Sequence, residues 1–323
     1  MLRQLSRAIT ATLIVVALAS LLGPLAAPAE AAGSTTVTTP RPLPVSWNAA
    51  PLLNGIAQRS LDPNWHPAGS NDPTCRLTAA HPRPVFLVNF TSGAGWEWSA
   101  GSPYLRNNGY CVFNASYGNV TPFPNFPFQA LGDVPTSAQQ LKSHIDAVLS
   151  ATGADKVDLV GWSQGGGLTP HYYLNFLGGA AKVHTFVGIA PGNHGATASG
   201  LTKNLGIVLA PLLAATVPAL PQQYEGSDLA LRIYAAGDTQ PGVRYTTIVT
   251  KYDEIATPWQ NQYLVGPNVT NILLQQGCAL DRSEHVSIGF SERTWRHVLN
   301  ALSPATAKPV PCQVVLPFLG SGL

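Results

Sequence analysis

The sequence has few charged residues, few sulfur atoms and few long apolar runs. Only 11% of its 323 residues are Asp, Glu, Lys or Arg, and the formal net charge is +2. A chain so close to neutral has no electrostatic footprint for nucleic acid. The motifs HExxH, CxxC and GxxxxGK[ST] are absent, which leaves no spacing typical of a catalytic zinc ion or a phosphate-binding loop. We therefore expect no metal ion, no other cofactor and no nucleic-acid partner.

The one long apolar run lies near the N-terminus. Arg3 and Arg7 precede an apolar stretch over residues 8–22, and small residues flank Glu30 at a candidate cleavage point. This order is typical of a secretory signal peptide, and the run is shorter than the roughly 20 residues that a membrane-spanning helix needs. We predict a signal peptide over residues 1–31, and therefore a secreted, extracellular protein.

The rest of the chain reads as a leader followed by one large domain. Thr and Pro are frequent just after the apolar run, which is typical of an extended segment, and we assign residues 32–60 to such a leader. The remaining residues, 61–323, are enough for a single α/β domain with a sizeable core.

Four cysteines occur in the chain: Cys75, Cys111, Cys278 and Cys312. An even number of cysteines in an exported chain favours disulfides, and four cysteines allow three pairings. We predict Cys75–Cys111 and Cys278–Cys312, because each pair joins segments that are close in sequence. Each bridge closes a loop of about 35 residues, for which chain entropy gives roughly 4 kcal/mol of stabilisation.

Short apolar runs alternate with helical patterns along the domain. The strand-like runs cover residues 84–90, 110–116, 156–162, 182–190, 229–237, 244–253 and 269–275. Several are apolar almost throughout, which suits strands buried on both faces of a parallel sheet. Between them, Ser137 and Gln140 form a capping-box pattern at the start of a helix that Gly153 ends. We predict an α/β fold with a mostly parallel central sheet flanked by helices.

One motif points to chemistry. Gly161-Trp162-Ser163-Gln164-Gly165 fits the pattern G-x-S-x-G between a predicted strand and a predicted helix. On such a tight turn the residues two places either side of the serine must be small, and the hydroxyl points out above the sheet. A glycine-rich helix start packed against a strand would account for the same glycines. Because strand and helix flank the motif, we interpret Ser163 as a nucleophile.

A serine nucleophile needs a histidine base and a carboxylate to orient it. In this arrangement the chain order is serine, acid, histidine, and only His285 and His297 lie late enough. His297 lies within a helical pattern, whereas His285 lies in a polar loop after a predicted strand, so we favour His285, although a solvated loop histidine would fit the same position. Asp253 and Asp238 each end a predicted strand, and position alone does not separate them as the acid.

Three segments occur in a familiar order: VGWSQGGG, KYDEIATP and DRSEHVS. They resemble the lipase class 2 family of bacterial exported lipases, and they also resemble the group of Candida antarctica lipase B-like α/β-hydrolases. The resemblance extends from about Pro73 to Cys312 and includes all four cysteines. It implies an α/β-hydrolase fold over the domain, with Ser163, Asp253 and His285 as a catalytic triad.

The resemblance also implies an oxyanion hole formed by the backbone N–H groups of Thr91 and Gln164, with the Thr91 hydroxyl as a third donor. Thr91 lies in the loop after an early strand, where α/β-hydrolases place the second donor. Here the sequence departs from the family, because Asn89 and Phe90 stand where relatives usually have His-Gly or Pro-Gly. Loss of one such donor typically costs about 3 kcal/mol of transition-state stabilisation.

These observations lead us to expect a secreted carboxylic-ester hydrolase, a lipase or esterase acting on triacylglycerol or other lipid esters. We expect a monomer that makes transient contact with a lipid interface. The apolar insertion over residues 206–223 is either a lid above Ser163 or one or two helices that cover the core. Two alternatives stay open: an acyltransferase that uses the same triad with an alcohol acceptor, and a non-catalytic hydrolase-like module that binds at the cell surface.

Overall fold

The structure is a computed structural model that describes residues 41–201 and 207–322. Six strands form one sheet in the order β2-β1-β3-β4-β5-β6, and every neighbouring pair is parallel. The strands are β1 Val85–Val88, β2 Val112–Asn114, β3 Val157–Trp162, β4 Val183–Ile189, β5 Arg244–Val249 and β6 Val269–Leu273. The predicted parallel sheet is therefore confirmed, and the carboxyl ends of all six strands lie along one edge.

Helices cover both faces of this sheet. The α-helices are α1 Pro51–Leu61, α2 Gly101–Asn107, α3 Val134–Thr152, α4 Leu168–Phe176, α5 Ile207–Thr216, α6 Ala219–Gln222, α7 Asp228–Tyr234, α8 Leu274–Gly277 and α9 Glu292–Leu302. Side chains of β1 alternate between two buried clusters: Val85 and Leu87 pack with α9, and Phe86 and Val88 pack with α3. Because both faces are buried, the strands are apolar almost throughout.

The segment predicted as a strand at residues 229–237 is helix α7 instead. Ser227 caps this helix by accepting a hydrogen bond from the N–H of Ala230 at 3.2 Å. Ala230 and Ile233, three residues apart, are buried, whereas Leu231 between them is 63% exposed. This spacing is helical, and the short apolar run hid it because such a run fits either element.

Helix α3 begins earlier than its predicted capping box. Asp133 is the cap, and its carboxylate accepts the N–H of Thr136 at 2.9 Å. Ser137 is buried inside the helix, and the side chain of Gln140 accepts the N–H of Gly118 at 2.7 Å, which holds a neighbouring loop. The helix ends at Gly153, as predicted, with the left-handed φ of +69° that favours glycine.

Two disulfides are present, Cys75–Cys111 and Cys278–Cys312. The first joins the loop before β1 to the residue before β2. The second joins Cys278, the residue after α8, to the C-terminal segment. Cys278 lies seven positions before His285 in the chain.

The predicted signal peptide, residues 1–31, lies outside the described residues. Residues 44–323 form one compact unit, which begins well before residue 61. Within it, α1 occupies the end of the predicted leader, and Trp47 and Leu52 pack against the cluster that contains Val85. Across the ranges that the structure describes, no helix combines the length and the apolarity needed to cross a bilayer.

Candidate active site

The three predicted triad residues follow three different strands at the carboxyl edge of the sheet. Ser163 directly follows β3, Asp253 lies in the loop after β5, and His285 lies beyond β6 and α8. Because β3 and β5 flank β4 and β6 lies next to β5, the sheet order brings these loops to one place. Ligand and catalytic groups of open parallel sheets lie at this edge.

The turn at Ser163 depends on glycine at two positions. Ser163 itself has φ of +56°, a left-handed conformation that costs free energy for a residue with a side chain. A Cβ atom at Gly161 would lie 1.7 Å from the carbonyl oxygen of Gly165, and one at Gly165 would lie 2.1 Å from that of Val88. Neither position can accept a larger residue without a backbone shift. These close approaches are the reason that the motif requires small residues at both positions.

An unbroken chain of hydrogen bonds joins the three side chains. Nε2 of His285 lies 2.9 Å from Oγ of Ser163, and Nδ1 lies 3.0 and 2.9 Å from the two carboxylate oxygens of Asp253. All three residues are at most 9% exposed. Because a carboxylate only accepts, the hydrogen of a neutral imidazole is on Nδ1, and the lone pair of Nε2 faces the serine hydroxyl.

Three polar groups besides the imidazole of His285 bind the carboxylate of Asp253. Its Oδ1 accepts the backbone N–H groups of Ile255 at 2.9 Å and Ala256 at 2.7 Å, and its Oδ2 accepts Nε2 of Gln262 at 2.9 Å. The other candidate acid, Asp238, lies elsewhere and contacts Nε2 of His194 at 2.9 Å. The structure thus brings Asp253, and not Asp238, to His285.

The residue before the serine supports the histidine loop. Nε1 of Trp162 donates to the carbonyl oxygen of His285 at 3.1 Å, and the indole makes edge contacts with Phe90 and Trp98. Trp162 is 1% exposed, so it is a core residue rather than a wall of an open cleft. It therefore fixes the backbone of the histidine relative to the turn that carries Ser163.

Acidic groups surround the imidazole. Glu254 Oε2 accepts the backbone N–H of His285 at 3.3 Å, and the carboxylate of Glu284 is bound by Ser287. Burial disfavours the imidazolium, but the charges of Asp253, Glu254 and Glu284 outweigh it and raise the pKa of His285. Burial also raises the pKa of Glu254 to about 7.

The predicted oxyanion donors, Thr91 and Gln164, follow the neighbouring strands β1 and β3 at this edge. The N–H of Gln164 is in the first turn of the 3₁₀ helix Ser163–Gly166, where it has no acceptor within the helix. The close approach of Gly165 to the carbonyl groups of Val88 and Asn89 puts the end of β1 directly against this turn. Thr91 follows two residues later, and its hydroxyl contacts the side chain of Gln223.

Asn89, where the sequence departs from the family pattern, anchors the loop that carries Thr91. Its Oδ1 accepts Nε1 of Trp98 at 2.9 Å and Nδ2 of Asn114, and its carbonyl accepts the hydroxyl of Tyr117 at 2.7 Å. The side chain is fully buried. The sequence indicated this anchoring role only by placing a polar residue at the end of an apolar strand. It did not indicate which residues Asn89 would bind.

The insertion at residues 206–223 contains α5 and α6. Leu212 on α5 is 60% exposed, whereas Ala219 on α6 is buried with Val134 and Leu168. Helix α6 therefore covers core, as one of the two interpretations predicted, while α5 presents apolar side chains to solvent.

His297 lies at the opposite edge of the sheet from the triad. With Arg244 and Asn300 it lines a cavity of about 340 Å³ at the amino ends of β5 and β6. Burial lowers the pKa of His297 to about 4. Among the described residues, no group of three or more His, Cys, Asp or Glu side chains could hold a metal ion.

Comparison with known proteins agrees with this architecture. A family model described as Lipase (class 2) matches residues 82–293. The chain is similar to lipase B of Pseudozyma antarctica, with 26% identity over 179 residues that cover 54% of this chain and 47% of the relative. The chain thus spans about half the length of the curated relative it matches.

Two solved structures have the same fold. Lipase B of Aspergillus fumigatus superimposes with a TM-score of 0.54 at 21% identity, covering 73% of this chain and 56% of the other. The mature lipase BlEst2 of Bacillus licheniformis gives a TM-score of 0.54 at 17% identity, covering 72% of this chain and 96% of the other. The chain has the α/β-hydrolase fold.

Proposed function

Because this chain belongs to the Lipase (class 2) family, we propose that it is a secreted serine carboxylic-ester hydrolase, a lipase or esterase for triacylglycerol or other lipid esters. The observation that carries the proposal is the hydrogen-bond chain from Oγ of Ser163 through both nitrogens of His285 to Asp253. A buried carboxylate, an imidazole in the correct tautomer and a strained serine are the parts that acyl transfer needs.

Acylation begins when Oγ of Ser163 attacks the ester carbonyl carbon. Nε2 of His285 takes the hydroxyl proton as the new C–O bond forms, and Asp253 stabilises the resulting imidazolium through Nδ1–H. The carbonyl oxygen becomes an oxyanion, which accepts hydrogen bonds from the backbone N–H groups of Thr91 and Gln164. The tetrahedral intermediate collapses, His285 gives its proton to the departing alkoxide, and an alcohol leaves.

Deacylation repeats these steps with water. His285 removes a proton from a water molecule, which attacks the acyl carbon through a second oxyanion in the same hole. Collapse of that intermediate breaks the bond to Oγ of Ser163, returns the proton to the serine and releases a carboxylic acid.

The test is hydrolysis of p-nitrophenyl esters by the wild type and Ser163→Ala. We expect Ser163→Ala to lose at least about a thousandfold in kcat, because no other group supplies the nucleophile. Ser137→Ala is the matched control, since Ser137 is also buried and lies within α3 rather than in the triad. Equal rates for wild type and Ser163→Ala would rule the mechanism out.

The same assay with water and an alcohol in competition identifies the acyl acceptor. A hydrolase releases mainly the free acid, whereas an acyltransferase forms mainly the new ester. A fluorophosphonate probe that fails to label Ser163 in the wild type would instead support a non-catalytic binding module.

We further propose export, on the basis of the two disulfides, because disulfides persist in oxidising compartments. The expected mature protein is a monomer that begins near residue 32, and the exposed apolar side of α5 fits transient contact with a lipid surface. Mass spectrometry of protein recovered from the medium tests the export and the start near residue 32. Light scattering of the same protein tests the monomeric mass.

A further inference from the structure

The side-chain amide of Gln223 binds the hydroxyl of Thr91. Gln223 directly follows α6, and Oγ1 of Thr91 lies 3.0 Å from its Nε2 and 3.1 Å from its Oε1. The contact joins positions 132 residues apart in the sequence. It connects the loop proposed to carry an oxyanion donor with the insertion that contains α5 and α6.

The amide of Gln223 is held in one orientation. Its Nε2 also lies 2.9 Å from the carbonyl oxygen of Ala219, and because a carbonyl only accepts, the nitrogen is on that side. The backbone is fixed as well, since the N–H of Gln223 donates to Leu220 at 3.1 Å and its carbonyl accepts Ala196 at 2.9 Å. Gln223 therefore presents one N–H and one oxygen to Thr91 from a rigid support.

The Thr91 hydroxyl has one hydrogen and two lone pairs to share. Nε2 of Gln223 donates to one lone pair, and the hydroxyl hydrogen points at rest to Oε1. An oxyanion is charged and is therefore a stronger acceptor than a neutral amide oxygen. When the oxyanion forms, the hydrogen turns toward it, while the bond from Nε2 keeps the hydroxyl oxygen in place.

We propose that Gln223 is a positioning residue that holds the Thr91 hydroxyl as an additional oxyanion donor, an inference that rests on the proposed function. It stabilises the transition state more than bound substrate, because the reoriented hydroxyl meets full negative charge only after the nucleophile has attacked. Its loss should therefore lower kcat and leave KM nearly unchanged.

The experiment is a double-mutant cycle of Gln223→Met and Thr91→Val, measured by ester hydrolysis. Both changes keep side-chain volume, and Thr91→Val keeps the backbone N–H. We expect Gln223→Met to lower kcat by roughly tenfold to a hundredfold in the wild type, as for a weakened oxyanion donor. In the Thr91→Val background the same change should alter kcat by less than about twofold, because its target hydroxyl is gone.

Gln222→Met is the matched control. The side chain of Gln222 also makes two polar contacts, accepting the N–H of Val134 at 2.8 Å and donating to Asp133 at 2.7 Å, but both lie at the start of α3. Gln222→Met therefore removes polar contacts similar in number to those lost in Gln223→Met, and from the adjacent position, but it leaves the contacts of Thr91 intact. We expect a similar fall in melting temperature and an unchanged kcat.

Three results would overturn the inference: an equal loss of kcat in both Thr91 backgrounds, a loss confined to KM, or an equal loss in Gln222→Met. Each of these requires an active wild type, so the proposed function would stand. If the wild type neither hydrolyses esters nor reacts with a fluorophosphonate, the proposed function fails, and this inference falls with it.

Discussion

At the scale of single residues, the site depends on how charge is arranged around one imidazole. Three carboxyl groups face His285, and only Asp253 reaches its ring nitrogen. The other two, Glu254 and Glu284, act on the ring through space, since each is engaged by backbone N–H groups. We therefore expect the pKa of His285, the proposed base, and with it the acid limit of activity, to depend partly on Glu254 and Glu284.

Glu254→Gln should shift the acid limb of the kcat/KM profile to lower pH. Glu254 has a pKa of about 7, so it is charged over only the upper part of this pH range, where its charge stabilises the imidazolium. The substitution removes that charge, so the pKa of His285 falls slightly and the neutral base persists to lower pH. Glu292→Gln is the control, because Glu292 pairs with Arg296 on α9. A profile for Glu254→Gln that superimposes on that of the wild type would contradict this account.

Gly165→Ala should destabilise the fold as well as the site. The added methyl group would overlap the carbonyl oxygens of Val88 and Asn89, at 2.1 and 2.4 Å, and overpacking of this kind costs about 1–3 kcal/mol or more. At Gly192 a Cβ atom would come no closer than 3.7 Å to its neighbours, so Gly192→Ala is the matched control. Urea unfolding measures the free energy of unfolding of the two variants, and equal midpoints for Gly165→Ala and Gly192→Ala would refute the steric argument.

Local sequence could predict some of these residues and not others. Ser163 stands in a motif whose glycines have a local steric cause, and His285 stands in a loop after a strand. Asp253 and Asp238 looked alike from sequence, because their partners depend on how distant loops pack. For the same reason the contacts of Asn89 and Gln223 were invisible, since each joins segments that are remote in the chain.

At the scale of elements, a second histidine–aspartate pair joins the loops around the site. Nδ1 of His194 lies 2.8 Å from the carbonyl oxygen of Asn261, and Nε2 lies 2.9 Å from Asp238. Both partners only accept, so both ring nitrogens donate and the ring is an imidazolium. Burial opposes the charge, but the bonds to Asp238 and Asn261 outweigh it and raise the pKa of His194.

His194→Gln should therefore reduce stability in a pH-dependent way. Because the folded pKa is raised, the stabilisation is fully present below the unfolded value of about 6.5 and is lost as pH rises through the folded value. We expect a loss of about 1 kcal/mol near pH 6 and less near pH 9 in urea unfolding, given the partial exposure of the ring. His66→Gln, at an exposed position, serves as the control. If the loss of unfolding free energy in His194→Gln did not vary with pH, the ring of His194 would not be an imidazolium.

The elements also show where periodicity is informative. Long apolar strands with buried faces were predicted well, because both sides of the sheet are covered. The prediction of a strand at α7 was wrong, because a short apolar run fits either a strand or a helix. Its helical spacing follows from tertiary contacts, since Ala230 and Ile233 pack with Val134 of α3 and Leu168 of α4. The start of α3 was misplaced because Ser137 had the residue type of a cap but a buried position.

At the scale of the whole molecule, two disulfides of nearly equal span brace opposite ends of the chain. Their sequence separations are 36 and 34 residues, so chain entropy gives both roughly the same stabilisation, about 4 kcal/mol. The parallel α/β architecture was predictable from the alternation of apolar runs and helical patterns. The early start of the compact unit was not, because the contacts of Trp47 and Leu52 are tertiary.

Removing either bridge should lower the melting temperature by a similar amount, but only one removal should lower kcat. The double substitution Cys278→Ser with Cys312→Ser frees the chain that leads into the loop of His285, whereas Cys75→Ser with Cys111→Ser does not. Each variant is the control for the other, with kcat measured well below both melting temperatures. Equal kcat values in the two variants would show that the second bridge does not steady the histidine loop.

The bond from Trp162 to the carbonyl of His285 has an optical consequence. A buried indole whose N–H is tied to the histidine loop will change its emission when that loop moves, even though the fluorophore belongs to the turn beside the serine. Comparison with a Trp162→Phe variant would isolate that signal from the other tryptophans. The protein thus carries an intrinsic fluorescent reporter at the contact between the turn of Ser163 and the loop of His285.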